Sequence, residues 1–248
     1  MGTTSNPPFR TSERLEDKHV FSGQNAGMPD SPRRLIDLSH TIEAGMITYK
    51  GLPAPLVCDH LSREASRANY DAGTEFQIGR IEMVGNTGTY LDTPFHRYAD
   101  GEDLSDVGLD RVAALPGMVI RVPDIQAIDA DRFAGLDVGG KAVLVHTGWA
   151  RHWRTDAYFE DHPFLTEAAA ARLVEAGAVL VGIDSHNIDD TRTRARPAHT
   201  RLLGAGIPIC EHMRGLELLP DTGFRFTAAP PKIKAFGTFP VRAFADVG

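Results

Sequence analysis

Gly85-Asn86-Thr87-Gly88-Thr89-Tyr90-Leu91-Asp92-Thr93-Pro94-Phe95-His96 follows an apolar run at residues 76–84 and sets a carboxylate and an imidazole four residues apart. Gly88 admits backbone angles closed to other residues, so the chain can turn sharply there or pass close to a ligand. Pro94 fixes its own φ and keeps Thr93 extended, which argues against a regular helix between Asp92 and His96. An aspartate and a histidine on such a rigid turn can hold a metal ion or exchange protons. The pairing alone also fits a plain hydrogen-bonded turn, so the flanking sequence has to decide.

Residues 35–42 upstream alternate apolar and polar side chains, as a half-buried strand does. Gly45, Gly51, Pro53 and Pro55 then make a loop that carries Tyr49. The β-branched and aromatic content of residues 75–92 predicts one or two strands leading into the quoted stretch. Downstream, residues 118–122 and 142–147 are short apolar runs between turn signals, the pattern of buried strands. Residues 166–177 predict a helix: Thr166 can cap it, Ala and Leu fill it, and Gly177 can end it. Another buried strand follows at residues 179–184, and strand, helix, strand in short succession argues for an α/β layer. Its polar exit offers Asp184 and His186 as pocket candidates, because α/β proteins place ligands at strand ends. Arg192, Arg194 and Arg196 come next and can either clamp a substrate carboxylate or form a solvated basic loop. A short helix opening at Ala198-His199 and a strand at residues 207–211 bring in His199 and Glu211.

Composition bounds the partners. A chain of 248 residues with 42% hydrophobic and 24% charged residues is ordinary for a soluble globular protein with a sizeable core. A net charge of −7 argues against nucleic acid or an anionic membrane as the main partner. Two cysteines, Cys58 and Cys210, support neither a disulfide framework nor a zinc knuckle. No apolar run approaches the length of a membrane span. Residues 1–33 lack the apolar centre of a secretory signal and are rich in Ser, Thr, Pro, Arg and Asp. They are expected to form a flexible N-terminal arm, with residues 34–248 as one domain and the cytoplasm as the default compartment.

The quoted stretch resembles the motif His-x-Gly-Thr-His-x-Asp-x-Pro-x-His of the cyclase family, which includes bacterial kynurenine formamidase and isatin hydrolase. Gly88, Thr89, Asp92, Pro94 and His96 fall on motif positions, whereas Asn86 and Tyr90 stand where the family has metal-binding histidines. The likeness runs from about Asp37 to Ala243. It takes in the Met46–Gly51 loop, the Thr-Gly-Trp ending at Trp149, the Ala-His-x-x-Leu-Leu histidine at His199 and a glutamate twelve residues later at Glu211. The resemblance implies an α/β fold of the swivelling β/β/α type, usually a homodimer or larger homo-oligomer. It implies a small-molecule substrate and a divalent metal, Zn²⁺ or Mn²⁺, held by Asp92, His199 and Glu211. His96 would be the catalytic acid/base, with Tyr90 beside it and Tyr49 facing the substrate; Asn86, at its motif position, and His186, at the strand exit, are further candidates for substrate contact. The implied activity is hydrolysis of a small cyclic amide, formamide or lactone. Two alternatives stay open: a metal-independent cyclase, dehydratase or isomerase working through His96, Asp92 and Tyr90, and a small-molecule binding protein without catalysis.

Overall fold

The computed structural model describes residues 34–248. The arm expected at residues 1–33 lies outside the described residues. The described strands are β1 (Arg34–Asp37), β2 (Leu56–Leu61), β3 (Ile78–Glu82), β4 (Tyr90–Asp92), β5 (Leu115–Arg121), β6 (Ala127–Ile128) and β7 (Ala142–His146). The series continues with β8 (Phe164–Leu165), β9 (Leu180–Ile183), β10 (Ile209–Glu211), β11 (Phe224–Thr227), β12 (Thr238–Pro240) and β13 (Phe244–Val247). The helices are α1 (Arg63–Ser66), α2 (Glu167–Glu175) and α3 (Pro197–Gly204).

Nine strands join in one sheet in the order β1-β13-β11-β5-β7-β9-β10-β4-β12. β5, β7, β9 and β10 are parallel neighbours, and the strands on both flanks are antiparallel. The parallel strands are covered on both faces, which is why they read as continuous apolar runs. Their side chains alternate: Val143, Val145, Val181, Ile183 and Ile209 pack with Leu173 of α2 and Leu202 of α3. Leu144, Leu180 and Cys210 point the other way, into a second cluster with Leu91, Val119 and Phe226. The α/β layer is present as expected, with α2 capped by the Thr166 hydroxyl, which accepts from the Ala169 amide.

One local outcome differs from the pattern reading and one refines it, each for a visible reason. Only residues 35–37 of the alternating segment pair as a strand, within β1; Ser39 then accepts from the Ala243 amide at 2.7 Å and donates to the Val241 carbonyl at 3.1 Å, so its hydroxyl replaces the ladder. Residues 75–92 form two strands that go to different sheets. β3 pairs with β2 in a separate ribbon, whereas β4 lies between β10 and β12. Gly85 permits the crossing, since a Cβ there would stand 2.3 Å from the Thr238 carbonyl oxygen.

Candidate active site

Strand register builds the floor of the site. Tyr90 and Asp92 point to the same face of β4, and Leu91 points to the other. Across the β4–β10 pairing Tyr90 stands opposite Glu211, and across the β4–β12 pairing Asp92 stands opposite Thr238. The Tyr90 hydroxyl accordingly donates to Glu211 Oε2 at 2.6 Å, and the Thr238 hydroxyl donates to Asp92 Oδ1. Thr238 also lies 2.7 Å from His96 Nδ1. Its single proton goes to the carboxylate, so in the second contact His96 Nδ1 is the donor. Pro94–His96 form one 3-10 turn rather than a regular helix. Gly237 lets that turn come close: a Cβ there would stand 2.3 Å from the His96 amide nitrogen.

His199 arrives from the first turn of α3. Asp189, fully buried, accepts from the amides of Ala198 (2.7 Å) and His199 (3.1 Å) and from His199 Nδ1 (2.6 Å). One carboxylate thus caps the helix and holds the Nδ1–H, so that Nε2 is the nitrogen turned toward Asp92 and Glu211. That nitrogen is 3.6 Å from Asp92 Oδ2 and 3.8 Å from Glu211 Oε1. Asp92 Oδ2 is buried and has no hydrogen-bond partner. Burial works against the charged form of His199, but Glu211, Asp189 and Asp92 outweigh it and hold the imidazole up at about 10. Burial likewise pushes Glu211 up to about 7, with His199 pulling it back and Asp92 adding to the rise. These buried carboxylates call for a positive charge between them. Ligand atoms of Asp92, His96 and His199 all lie within 4.8 Å of one another.

Behind the floor the polar groups close a hydrogen-bonded set. Tyr158 lies 2.9 Å from His212 Nδ1, and His212 Nε2 lies 3.3 Å from the Tyr90 oxygen. Tyr90 spends its proton on Glu211, so His212 donates from Nε2 and accepts from Tyr158 at Nδ1. Burial, with His186 and His40 nearby, lowers the His212 pKa well below its ordinary value, in keeping with that neutral form. Tyr49 donates to the His186 carbonyl at 3.0 Å and accepts from Asn187 at 2.7 Å.

A cavity of about 520 Å³ opens above this floor, lined by Tyr49, Asn86, Tyr90, His96, His199 and Glu211, with arginines at its mouth. The structure therefore brings Asp92, His96, His199, Glu211, Tyr90, Tyr49 and Asn86 together. His186 is not among the lining residues. It is 5% exposed, sits among the rings of Tyr49, Tyr158, Phe159, His162 and His212, and contributes its carbonyl to Tyr49. Asp184 serves structure, accepting from Thr147 N, Thr147 Oγ1 and Gly148 N at 2.6–2.8 Å. Asp189, Thr238 and His212 carried no signal in the sequence beyond their residue types, because each acts through a partner distant in sequence or through strand register.

The Cyclase family model matches residues 36–190 of the chain. A kynurenine formamidase of Geobacillus thermodenitrificans is 30% identical over 181 residues, which is 72% of this chain and 84% of that protein. A solved structure described as a potential metal-dependent hydrolase with cyclase activity superposes with a TM-score of 0.72 at 26% identity, covering 88% of this chain and 99% of the other. Isatin hydrolase A from Labrenzia aggregata, bound to benzyl benzoate, has the same fold, with a TM-score of 0.72 at 24% identity over 87% and 94% of the two chains.

Proposed function

The chain belongs to the Cyclase family, and on that premise we propose that it hydrolyses the C–N or ester bond of a small cyclic amide, formamide or lactone with the help of one divalent metal ion. The observation that carries this reading is the buried, unpartnered Asp92 Oδ2 facing His199 Nε2 at 3.6 Å, with Glu211 Oε1 on the other side of that nitrogen at 3.8 Å. Two ligand atoms each about 2.1 Å from a shared ion at a tetrahedral angle stand ~3.4 Å apart. Those two spacings suit a shared divalent ion, Zn²⁺ or Mn²⁺, which Asp92, His199 and Glu211 would hold, with His96 beside Asp92 and His199. Such an ion supplies Lewis acidity, which lowers the pKa of water and polarises a carbonyl.

The chain's own groups do the rest. Asp189 keeps His199 in the ligand tautomer, and the Tyr90 hydroxyl and the Ile188 amide (2.6 Å) hold the Glu211 carboxylate in place. His96 Nε2, held toward the cavity by the Nδ1–Thr238 bond, takes the proton of the attacking water. It then returns that proton to the leaving nitrogen or oxygen as the bond to the carbonyl carbon breaks. The Asn86 amide, half-buried and without a hydrogen bond among the described residues, is free to donate to the substrate carbonyl.

One observation favours the metal-independent reading: the Tyr90 proton is already committed to Glu211, so Tyr90 occupies a family ligand position without offering a lone pair inward. The two readings separate on a single assay. With a panel of aryl formamides, cyclic imides and lactones, turnover should vanish after chelation and return with Zn²⁺ or Mn²⁺. Undiminished turnover after chelation would favour the second reading.

The β2–β3 ribbon supports assembly as a homodimer. Leu56, Val57, Ile78 and Ile81 are exposed on it, and a two-stranded ribbon is marginal alone in water. Both cysteines are free, which fits a reducing, cytoplasmic setting. Among the described residues no helix is long and apolar enough to cross a membrane.

A further inference from the structure

We propose that the substrate carries a carboxylate apart from the bond that is cleaved, and that Arg194 and Arg97 at the cavity mouth bind it. The inference rests on the hydrolase reading above and narrows it. The chain has a net charge of −7, yet the cavity mouth is lined by Arg97, Arg194 and Arg196. Among the described residues lining the cavity, the acids are limited to Glu211, which lies on the floor and already takes bonds from Tyr90 and the Ile188 amide. A basic rim on an acidic protein focuses the field at one place and draws anions there.

The three arginines that follow the strand exit divide by what already holds them. Arg192 makes a two-pronged bond to Asp190, at 2.9 and 3.0 Å, and does not line the cavity. Arg196 donates to the carbonyls of Thr193 (2.8 Å) and Ala195 (2.7 Å), which fix its side chain but leave its charge unneutralised. Arg194 has no hydrogen bond or ion pair among the described residues. The Arg97 side chain has, among the described residues, only the face of the Tyr98 ring, 5.4 Å from its guanidinium carbon to the ring centroid. Two uncommitted guanidiniums beside a concave site suit a carboxylate, whose two oxygens match the planar fork. Leu52 and Tyr49 line the same cavity and offer apolar surface to the body of the ligand. An anionic group at the mouth would leave the carbonyl end to reach Asn86 and His96.

The test compares 2-formamidobenzoate with neutral formanilide on the metal-loaded full chain. We expect kcat/KM to favour the anion by tenfold or more, mainly through KM, and the preference to shrink as NaCl is raised from 50 to 500 mM (about a threefold shorter screening length). In Arg194→Gln and in Arg97→Gln/Arg194→Gln the anion-to-neutral ratio should fall by tenfold or more. Equal use of both compounds, or a ratio unmoved by the substitutions and by salt, overturns the inference. If neither compound is cleaved, the hydrolase reading fails on this substrate class. Titration calorimetry with benzoate and benzamide then judges the anion site by itself. Tighter benzoate binding that weakens at least tenfold in Arg194→Gln upholds the site, and equal affinities, or no loss in that variant, overturn it.

Discussion

Asp189 does two jobs with one carboxylate: it caps α3 through the Ala198 and His199 amides and fixes the tautomer of the His199 ring. Asp189→Asn should keep the fold by circular dichroism yet weaken Zn²⁺ binding by about 10–100-fold, the usual cost of losing the partner of a ligand histidine. Unchanged affinity by calorimetry would show that the tautomer is set elsewhere. The two departures from the family motif invite the reverse experiment. Asn86→His with Tyr90→His replaces a neutral amide and a committed phenol by two imidazoles, so the double variant should take up Zn²⁺ more tightly than the parent. Equal binding would mean that these positions never limited the metal. His186 gives a residue-level prediction for stability. Burial, with His162 and Arg196 nearby, lowers its pKa to about 3, so the native state keeps it neutral while the unfolded chain protonates it near 6.5. The unfolded state therefore binds more protons between about pH 6.5 and 3, and stability falls as the pH drops through that window. The linkage amounts to ~2 kcal/mol between pH 7 and 5. His186→Phe should flatten the decline of melting temperature over that range; an unaltered slope would assign the acid sensitivity to other groups.

At the scale of elements, the site is a strip across β12, β4 and β10 with α3 leaning over it, and its accuracy comes from register. Gly237 sits where β12 meets the Pro94–His96 turn, with its carbonyl accepting from the Thr93 amide at 2.8 Å. Gly237→Ala would drive a methyl group into the His96 backbone, so we expect about 2 kcal/mol or more of lost stability together with impaired turnover. A fully active, equally stable variant would mean that the turn can slide away from the strand. Register also explains what could be read beforehand. The β7, α2 and β9 run was legible because its apolar periodicity and the Thr166 cap are local, and Asp92, His96, His199 and Glu211 were legible through motif resemblance. Thr238 became part of the site only by standing opposite Asp92, and a strand as short as Thr238–Pro240 announces no register. His186 pointed the other way for a similar reason. A strand exit offers polar groups, but the fold turned this ring into an aromatic cluster and used its carbonyl.

For the whole molecule, the ribbon and the metal floor make separate claims. Val57 and Ile81 stand opposite each other on the ribbon and are both exposed. Sedimentation should find a dimer that Val57→Asp with Ile81→Asp converts to monomer, and a monomeric parent would leave the ribbon's apolar face to another use. The central claim is that buried Asp92, His199 and Glu211 together hold one catalytic divalent ion, and metal stoichiometry reads it most directly. Elemental analysis of the full chain purified without chelator, alongside Asp92→Ala, should give about one Zn²⁺ or Mn²⁺ per chain in the parent and less than about a tenth of that in the variant, because the variant loses the orphaned carboxylate oxygen that faces His199. A parent that is free of metal and still turns over substrate, or a variant that keeps its full complement, would contradict it.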